Sequence, residues 1–563
     1  MSIDIETYRL KAQEAIEYVF VKEYHNSLGI PMPIVKMLLP DDANYSTGQY
    51  YITIDKTWQI HLNFGKLPIS YHEFQNEVKV LTRHEIEHYM CCPFDVITHF
   101  RMLKRIRDVY YKHFSHLGIN IEYACGAISN QAADIIVDTK NYYRHSKETL
   151  KSEIDWIKIG ANISACPRHC KLMFLTKEAI WKEDLGINET DPEFLKIVHQ
   201  LADSFTKNGI EDKSSFLDKV EEYAEIFFKL YVEDQKNPQQ SSQQGSQQQS
   251  GQQGSQQQSG QWGVGRPKDG DEHGNAFVFA DPDKVKEAIE VLVEETSVEE
   301  FIDLLAIAGI IGMSDKQKGV LWFNVQSANI IPIVEFSNTG NKSSYTYPSV
   351  WRIGDPIEEL DLMLTYMTSP RLIPGMTTKK WEYVSNDDNG TESKQMDLLL
   401  VVDTSGSMGS AMKESANMHQ AVLASYGILS YFESTKSKVA FIGFSDKIDA
   451  YVDWSDKYDD VRERLLTNGH GGTKFPISRI KSTLDVRSRD LVTVLITDGD
   501  LGNINESVSY FRDYLNDDNK LYIFLLGGSK SLHSYEPLKN IGAKIYNANN
   551  ANEFCDMVLT DME

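Results

Sequence analysis

His84, Glu85 and His88 stand in the run Leu81-Thr82-Arg83-His84-Glu85-Ile86-Glu87-His88-Tyr89, and their types and spacing suit amide hydrolysis. A helix turns once per 3.6 residues, so imidazoles four apart project from one face and can both hold one zinc ion. Glu85 then lies beside the metal. Zinc lowers the pKa of a bound water to about 7, and a neighbouring carboxylate can take the proton as that water attacks a peptide carbonyl. His84 and His88 are therefore expected zinc ligands, with Glu85 as the catalytic base.

A zinc peptidase needs a third protein ligand. In Asn130-Gln131-Ala132-Ala133-Asp134-Ile135-Ile136-Val137-Asp138, the polar residues Asn130, Asp134 and Asp138 fall at i, i+4 and i+8, a single stripe on an otherwise apolar helix. Asp134 is the candidate ligand, and Asn130 or Asp138 could orient the histidines from behind. Glu87, His99, His113, His116 and Glu122 lack comparable spacing and read as surface or supporting groups.

A second constellation lies in the last third of the chain. The apolar run Leu398 to Val402 ends in Asp403-Thr404-Ser405-Gly406-Ser407, far upstream of Gly471-Gly472-Thr473 and of Val492-Thr493-Val494-Leu495-Ile496-Thr497-Asp498-Gly499. Asp403, Ser405, Ser407, Thr473 and Asp498 offer oxygen ligands only, which suits a hard cation such as Mg²⁺, or Mn²⁺ or Ca²⁺. Hydroxyls are neutral, so the cation keeps enough charge to accept a carboxylate from a partner. These residues resemble the metal-ion-dependent adhesion site of von Willebrand factor A domains, which implies docking rather than catalysis.

The elements that must carry these groups follow from pattern. Tyr71 to Val80 contains neither Pro nor Gly, and Phe74, Val78 and Leu81 recur at helical spacing, placing the HExxH run inside a helix. Tyr50 to Ile54 and Trp58 to Phe64 read as strands flanking Asp55-Lys56-Thr57. Beyond Asp403, a helix is expected over Gly409 to Thr435, with buried strands at Val439 to Phe444, Leu491 to Thr497 and Leu521 to Leu526. Strands alternating with helices predict a doubly wound parallel sheet whose ligands sit at the carboxyl ends of strands.

Composition narrows the partners. A net charge of -24 argues against nucleic acid or an anionic membrane, since phosphate surfaces would repel the chain. Met1-Ser2-Ile3-Asp4-Ile5-Glu6 has neither a basic segment nor an apolar core, so no export signal is expected. Phe301 to Met313 is too short to span a membrane and contains Asp303. The 6 cysteines in 563 residues make no disulfide framework, and Cys166-Pro167-Arg168-His169-Cys170 lacks a matching second pair for a closed zinc site. A cytoplasmic location is expected.

Gln243 to Gly251 reads QQGSQQQSG and Gln252 to Gly260 repeats it, without an apolar residue to build a core. As a tether, the tract from Asn237 to Gln261 would span about 25 to 30 Å root-mean-square and hold its two flanks at an effective concentration on the order of millimolar. The expected domain plan is residues 1–236, a zincin-like domain; 237–275, a flexible Gln/Ser/Gly linker; 276–395, a helical adaptor and irregular lead-in; and 396–563, the module carrying Asp403.

With both motifs in view, the chain resembles a family of predicted metallopeptidases of bacteria and archaea that join an N-terminal HExxH domain to a C-terminal von Willebrand factor A-like domain. The resemblance rests on Tyr50 to Asp138 and Asp397 to Asp556. It implies an N-terminal α+β zincin-like fold and a C-terminal α/β doubly wound, Rossmann-like fold. The Asn130-x-Ala132-Ala133-Asp134 element looks like the family's second peptidase motif, which favours Asp134 as ligand. A MoxR-type AAA+ ATPase is implied as partner, and a protein or peptide as substrate. Where relatives often carry a further histidine after the helix, this chain has Cys91-Cys92. A non-proteolytic adaptor or chaperone working with such an ATPase is the alternative function.

Overall fold

The computed structural model describes residues 5–38, 51–54, 59–63, 70–159, 163–236, 282–308, 310, 313–330, 346–351, 365, 378–383, 396–487, 490–499, 501–517, 519–527 and 532–548. The Gln/Ser/Gly repeat, the turn at Asp55-Lys56-Thr57 and most of the lead-in to Asp397 lie outside them. Packing divides the chain into two compact units, Met1–Ala288 with Tyr366–Arg371, and Ile289–Thr365 with Leu372–Glu563.

The first unit begins with α1 (Ile5–Glu17) and a small sheet of β1 (Ile34–Leu38), β2 (Tyr51–Ile54) and β3 (Gln59–Asn63) in the order β1-β3-β2. β1 runs parallel to β3, and β2 antiparallel to it, with Ile52 opposite Leu62. α2 (Tyr71–Met90) follows. Ser70 starts it with a reciprocal capping box: its hydroxyl accepts from the Glu73 backbone, and the Glu73 carboxylate accepts from the Ser70 backbone. Pro93 cannot extend it. One face of α2 buries Phe74, Val78 and Ile86 in a core with Ala12, Ile16 and Val19 of the α1 region and Ile60 and Leu62 of β3. That leaves an adjoining face, with His84 and His88, for a different neighbour.

The neighbour is α4 (Ile121–Ile159), which follows α3 (Val96–Val109) and leaves helical geometry at His145, where φ is -135° and ψ is 47°. Before the break, Ala132, Ala133, Ile136 and Val137 are buried; after it, Ser152 donates to Glu77 of α2 at 2.8 Å. Three further helices, α5 (Arg168–Trp181), α6 (Pro192–Thr206) and α7 (Phe216–Lys236), complete the unit. In α5, Cys170 is buried and Cys166 just before it is half-buried, and neither is in a disulfide. α8 (Pro282–Glu294) comes next in the chain among the described residues.

The second unit is built on six strands. Helices α9 (Val298–Ile307) and α10 (Asp315–Ile330) and the antiparallel ribbon of β4 (Thr346–Val350) and β5 (Lys379–Tyr383) precede them. Then come β6 (Asp397–Asp403), α11 (Asn417–Ser434), β7 (Val439–Phe444), β8 (Ile448–Ser455), α12 (Tyr458–Leu465), α13 (Ile477–Leu484), β9 (Leu491–Thr497), α14 (Val508–Asn516), β10 (Lys520–Leu526), α15 (Leu532–Lys539) and β11 (Lys544–Ala548). The sheet order is β11-β10-β9-β6-β7-β8, parallel throughout except for β8, which runs antiparallel at the edge. Every residue of β7 and β9 is buried, as expected of strands covered on both faces. Edge strand β8 is mostly half-buried.

The helix expected over Gly409 to Thr435 begins only at Asn417. Gly409 has φ +76°, and a Cβ there would lie 2.9 Å from the Ala416 Cβ, so the backbone folds back on itself before the helix can start. The apolar residues in this stretch serve burial instead: Ala411 is fully buried.

The helices upstream of the sheet are part of the second unit's core. Trp322 and Phe323 of α10 lie against His419 of α11 at ring separations of 5.4 and 5.2 Å, and the Trp322 indole donates to the Thr296 carbonyl. Burial holds the His419 pKa below its ordinary 6.5, although the Ala411 carbonyl pulls it upward. The folded state therefore binds fewer protons than the unfolded one just below pH 6.5, and the stability that His419 contributes is lost as pH falls from there. Thermal melts on either side of pH 6.5 should show a smaller acid-side loss in His419→Gln than in the parent.

Candidate functional site

His84 and His88 of α2 are each fixed by the inner nitrogen. His84 Nδ1 lies 2.6 Å from Asp138 Oδ1, and His88 Nδ1 lies 2.9 Å from the Cys92 carbonyl. A carbonyl only accepts, so His88 Nδ1 carries the proton and its Nε2 presents a lone pair. Both Nε2 atoms point into one space, 3.0 Å apart. Asp134 Oδ1 enters from α4, 3.2 Å from His88 Nε2 and 3.6 Å from His84 Nε2. Its other oxygen accepts from the Asn130 amide at 2.9 Å. The three ligand atoms lie within 4.8 Å of one another, the one such His/Cys/Asp/Glu cluster among the described residues.

Whether these residues suit a metal can be judged from Asp134 Oδ1 itself. It is buried and accepts no hydrogen bond. A buried carboxylate oxygen without a donor is costly, and a cation held between it and the two imidazoles would remove that cost. Two nitrogens and one carboxylate oxygen, with the inner histidine nitrogens anchored, form a donor set that fits Zn²⁺.

The surroundings are strongly charged. Lys177 of α5, almost wholly buried, contacts Asp138 Oδ2 at 2.5 Å and Glu153 Oε1 at 2.9 Å. Burial pushes the Asp138 carboxyl up, but Lys177 and His84 together hold it well below the ordinary range. Burial pulls the His84 ring down, and Asp138, Asp134 and Glu85 outweigh it, raising its pKa to about 10. Glu85 is raised by burial, with His84 and His88 pulling the other way. Burial above all pushes the His99 ring down to about 4, so it stays neutral.

Asn130 and Asp138, both named from the stripe on α4, take different tasks: Asp138 meets His84, and Asn130 meets Asp134. Glu87 is a fully buried side chain gripped by Lys140 at 2.9 Å and Arg144 at 2.8 Å, and it accepts from the Tyr24 hydroxyl. Cys91 and Cys92 are buried beneath the helix end, and it is the Cys92 carbonyl that meets His88. Sequence reasoning missed that carbonyl, Lys177 and Glu153. A lysine within a helix carries no signal of its own.

In the second unit, Asp403 ends β6 and Asp498 follows β9, adjacent parallel strands. Asp403 is buried; it accepts from the Ser405 backbone at 2.9 Å and from the Thr497 hydroxyl at 2.6 Å. Burial raises its carboxyl, and those donors oppose the rise. The Ser405 and Ser407 hydroxyls are 3.1 Å apart, and Ser407 donates to Asp498 Oδ1 at 3.0 Å. Asn417, first residue of α11, donates to the other Asp498 oxygen at 3.1 Å. Thr473 is half-exposed, two residues past Gly471, whose carbonyl accepts from the Gly406 backbone at 3.3 Å. That bond brings its loop beside the serines. Gly469 is needed there: a Cβ would stand 2.5 Å from the Thr404 carbonyl and 2.4 Å from an Asp449 oxygen, which itself accepts from the Thr404 hydroxyl. Asn417, Thr497 and Gly469 were not singled out from the sequence.

No family model and no curated protein matches the chain. Among solved structures, an uncharacterized membrane-spanning protein from Vibrio fischeri is similar over 29% of this chain and 96% of its own, at 18% identity and a TM-score of 0.13, too slight a likeness to bear on fold or function. Among the described residues, no helix is long and apolar enough to cross a membrane.

Proposed function

We propose that this chain is a zinc-dependent peptidase. Its first unit would be a zincin-like catalytic domain, with His84, His88 and Asp134 as ligands and Glu85 as base. Its second unit would be a von Willebrand factor A-like module that holds Mg²⁺, or Mn²⁺ or Ca²⁺, and captures a carboxylate of a protein partner. A MoxR-type AAA+ ATPase is the partner that the family resemblance suggests, and the setting is cytoplasmic. The observation that carries the reading is the buried, undonated Asp134 Oδ1 facing two imidazole Nε2 atoms.

When bound, zinc supplies a Lewis acid that acidifies a water and polarises an amide carbonyl. The chain supplies orientation and proton transfer. Asp138 and the Cys92 carbonyl fix the two rings, so neither ligand has to reorganise. Glu85 accepts the proton of the attacking water and delivers it to the departing amine nitrogen. A carboxyl raised by burial suits a group that must act first as base and then as acid. In the second unit, the neutral hydroxyls of Ser405 and Ser407 would share a cation with the carboxylates of Asp403 and Asp498, and a partner's Glu or Asp would complete its oxygen shell.

The direct test is elemental analysis. Purified protein should carry a single zinc per chain, and His84→Ala or Asp134→Ala should each abolish it without loss of helical content. Absence of zinc in the parent after incubation with the metal would overturn the proposal.

A further inference from the structure

We propose that Lys177 is a positioning residue for the metal centre, acting through Asp138 to fix the direction of the His84 ring; this rests on the zinc reading above. The contacts form one continuous line. Glu153 Oε1 holds Lys177 Nζ at 2.9 Å, Lys177 Nζ holds Asp138 Oδ2 at 2.5 Å, and Asp138 Oδ1 holds His84 Nδ1 at 2.6 Å. His84 Nε2, at the far side of the ring, faces Asp134 and His88.

Each oxygen of Asp138 has its own partner, and that division is what defines the plane of the carboxylate. With only His84 attached, the group could pivot about its Cβ–Cγ bond, and the imidazole would follow it. Lys177 removes that freedom. Lys177 cannot itself retreat, because Glu153 grips it from another side.

The cost of the arrangement argues against simple packing. Lys177 has a side chain only 2% exposed, and burying an ammonium is unfavourable unless it is paired. A methionine would fill similar volume without that cost. Asp138 and Glu153 also lie on opposite sides of the break in α4 at His145, so the ammonium ties the two segments of that helix to each other and to α5. The line thus joins three helices, α2, α4 and α5, at the point where the direction of His84 Nε2 is set.

The test compares the full-length parent with Lys177→Met and Glu153→Gln. Zinc affinity is measured by chelator competition, and the visible spectrum of the Co²⁺-loaded protein reports the geometry of the ligands. Lys177→Met should weaken zinc binding by about 10- to 100-fold, the usual effect of losing a group that orients a ligand, and should shift the Co²⁺ bands. Glu153→Gln removes the charge that grips Lys177 but keeps an amide oxygen able to accept from it, so its loss of zinc affinity should be smaller than that of Lys177→Met. A change in melting temperature alone would mark Lys177 as structural. If Lys177→Met does not fold, Lys177→Arg replaces it: the charge remains but the guanidinium meets Asp138 with a different geometry, so the Co²⁺ bands should still move. A folded variant at position 177 with the parent's zinc affinity and Co²⁺ spectrum overturns the proposal while the zinc reading stands. A parent that takes up neither metal overturns both.

Discussion

Glu85→Gln is expected to lower hydrolysis of an unfolded, casein-like substrate by about 10²- to 10⁴-fold, the usual contribution of general acid–base catalysis. Zinc content should not change, because the three ligand atoms belong to His84, His88 and Asp134. The substitution keeps the side chain's volume and one accepting oxygen while removing the ability to take up a proton. An unchanged zinc signal with vanished activity would separate Glu85 from a merely structural carboxylate. The alternative function, an adaptor or chaperone, makes the opposite prediction: parent protein loaded with zinc would cleave nothing, and Glu85→Gln would be silent. Partner binding measured alongside should be the same in parent and variant, because Ser405, Ser407 and Asp498 belong to the other unit.

What could be read from the sequence at this centre was whatever a regular period carries. Two imidazoles four apart on an uninterrupted helix must share a face, and Asn130, Asp134 and Asp138 must share one on theirs. The structure brings those two faces together, with the apolar positions Phe74, Val78 and Ile86 of α2 turned into the core. Lys177 and Glu153 were out of reach because each is defined by its distance from Asp138 in space. Lys177 is 39 residues from Asp138 in the chain, and nothing in α5 marks it apart from the surface lysines. The Cys92 carbonyl was hidden for a different reason: a backbone group has no residue type to read.

The second unit follows the same division. The strand at Leu398 to Val402 is legible as an unbroken apolar run, and the one at Leu491 to Thr497 as a β-branched and apolar run interrupted by Thr493, because both faces of each are buried. Their carboxyl ends necessarily place Asp403 and Asp498 on one edge once the strands pair in parallel. The helix expected over Gly409 to Thr435 starts only at Asn417. The positive φ of Gly409 and its close approach to Ala416 set that start, and neither shows in a hydrophobic pattern. The practical result is a rigid turn that carries Ser405 and Ser407, followed by a helix whose first residue, Asn417, reaches Asp498.

Replacing Ser405 and Ser407 together by Ala is therefore expected to abolish Mg²⁺-dependent capture of a protein partner while leaving zinc content and peptide hydrolysis intact. The two hydroxyls are neutral oxygen donors 3.1 Å apart, and Ser407 also donates to Asp498 Oδ1. Without them, Asp403 and Asp498 remain as carboxylates with fewer oxygens around the cation, and Mg²⁺ tolerates an incomplete octahedron poorly. The change removes no buried apolar volume and keeps the Ser405 backbone donor to Asp403, so the sheet should hold: a melting temperature within a few degrees of the parent is expected. Pull-down of a MoxR-type ATPase with Mg²⁺ or with a chelator reads the outcome. Capture by the parent that persists in the chelator, or capture by the double variant equal to the parent's, would remove the cation from the docking account. The result bears on how the two units cooperate as well. If docking is lost and hydrolysis of a free peptide is not, the second unit recruits; if both fall, the partner held through Ser405 and Ser407 also sets the activity of the centre at His84.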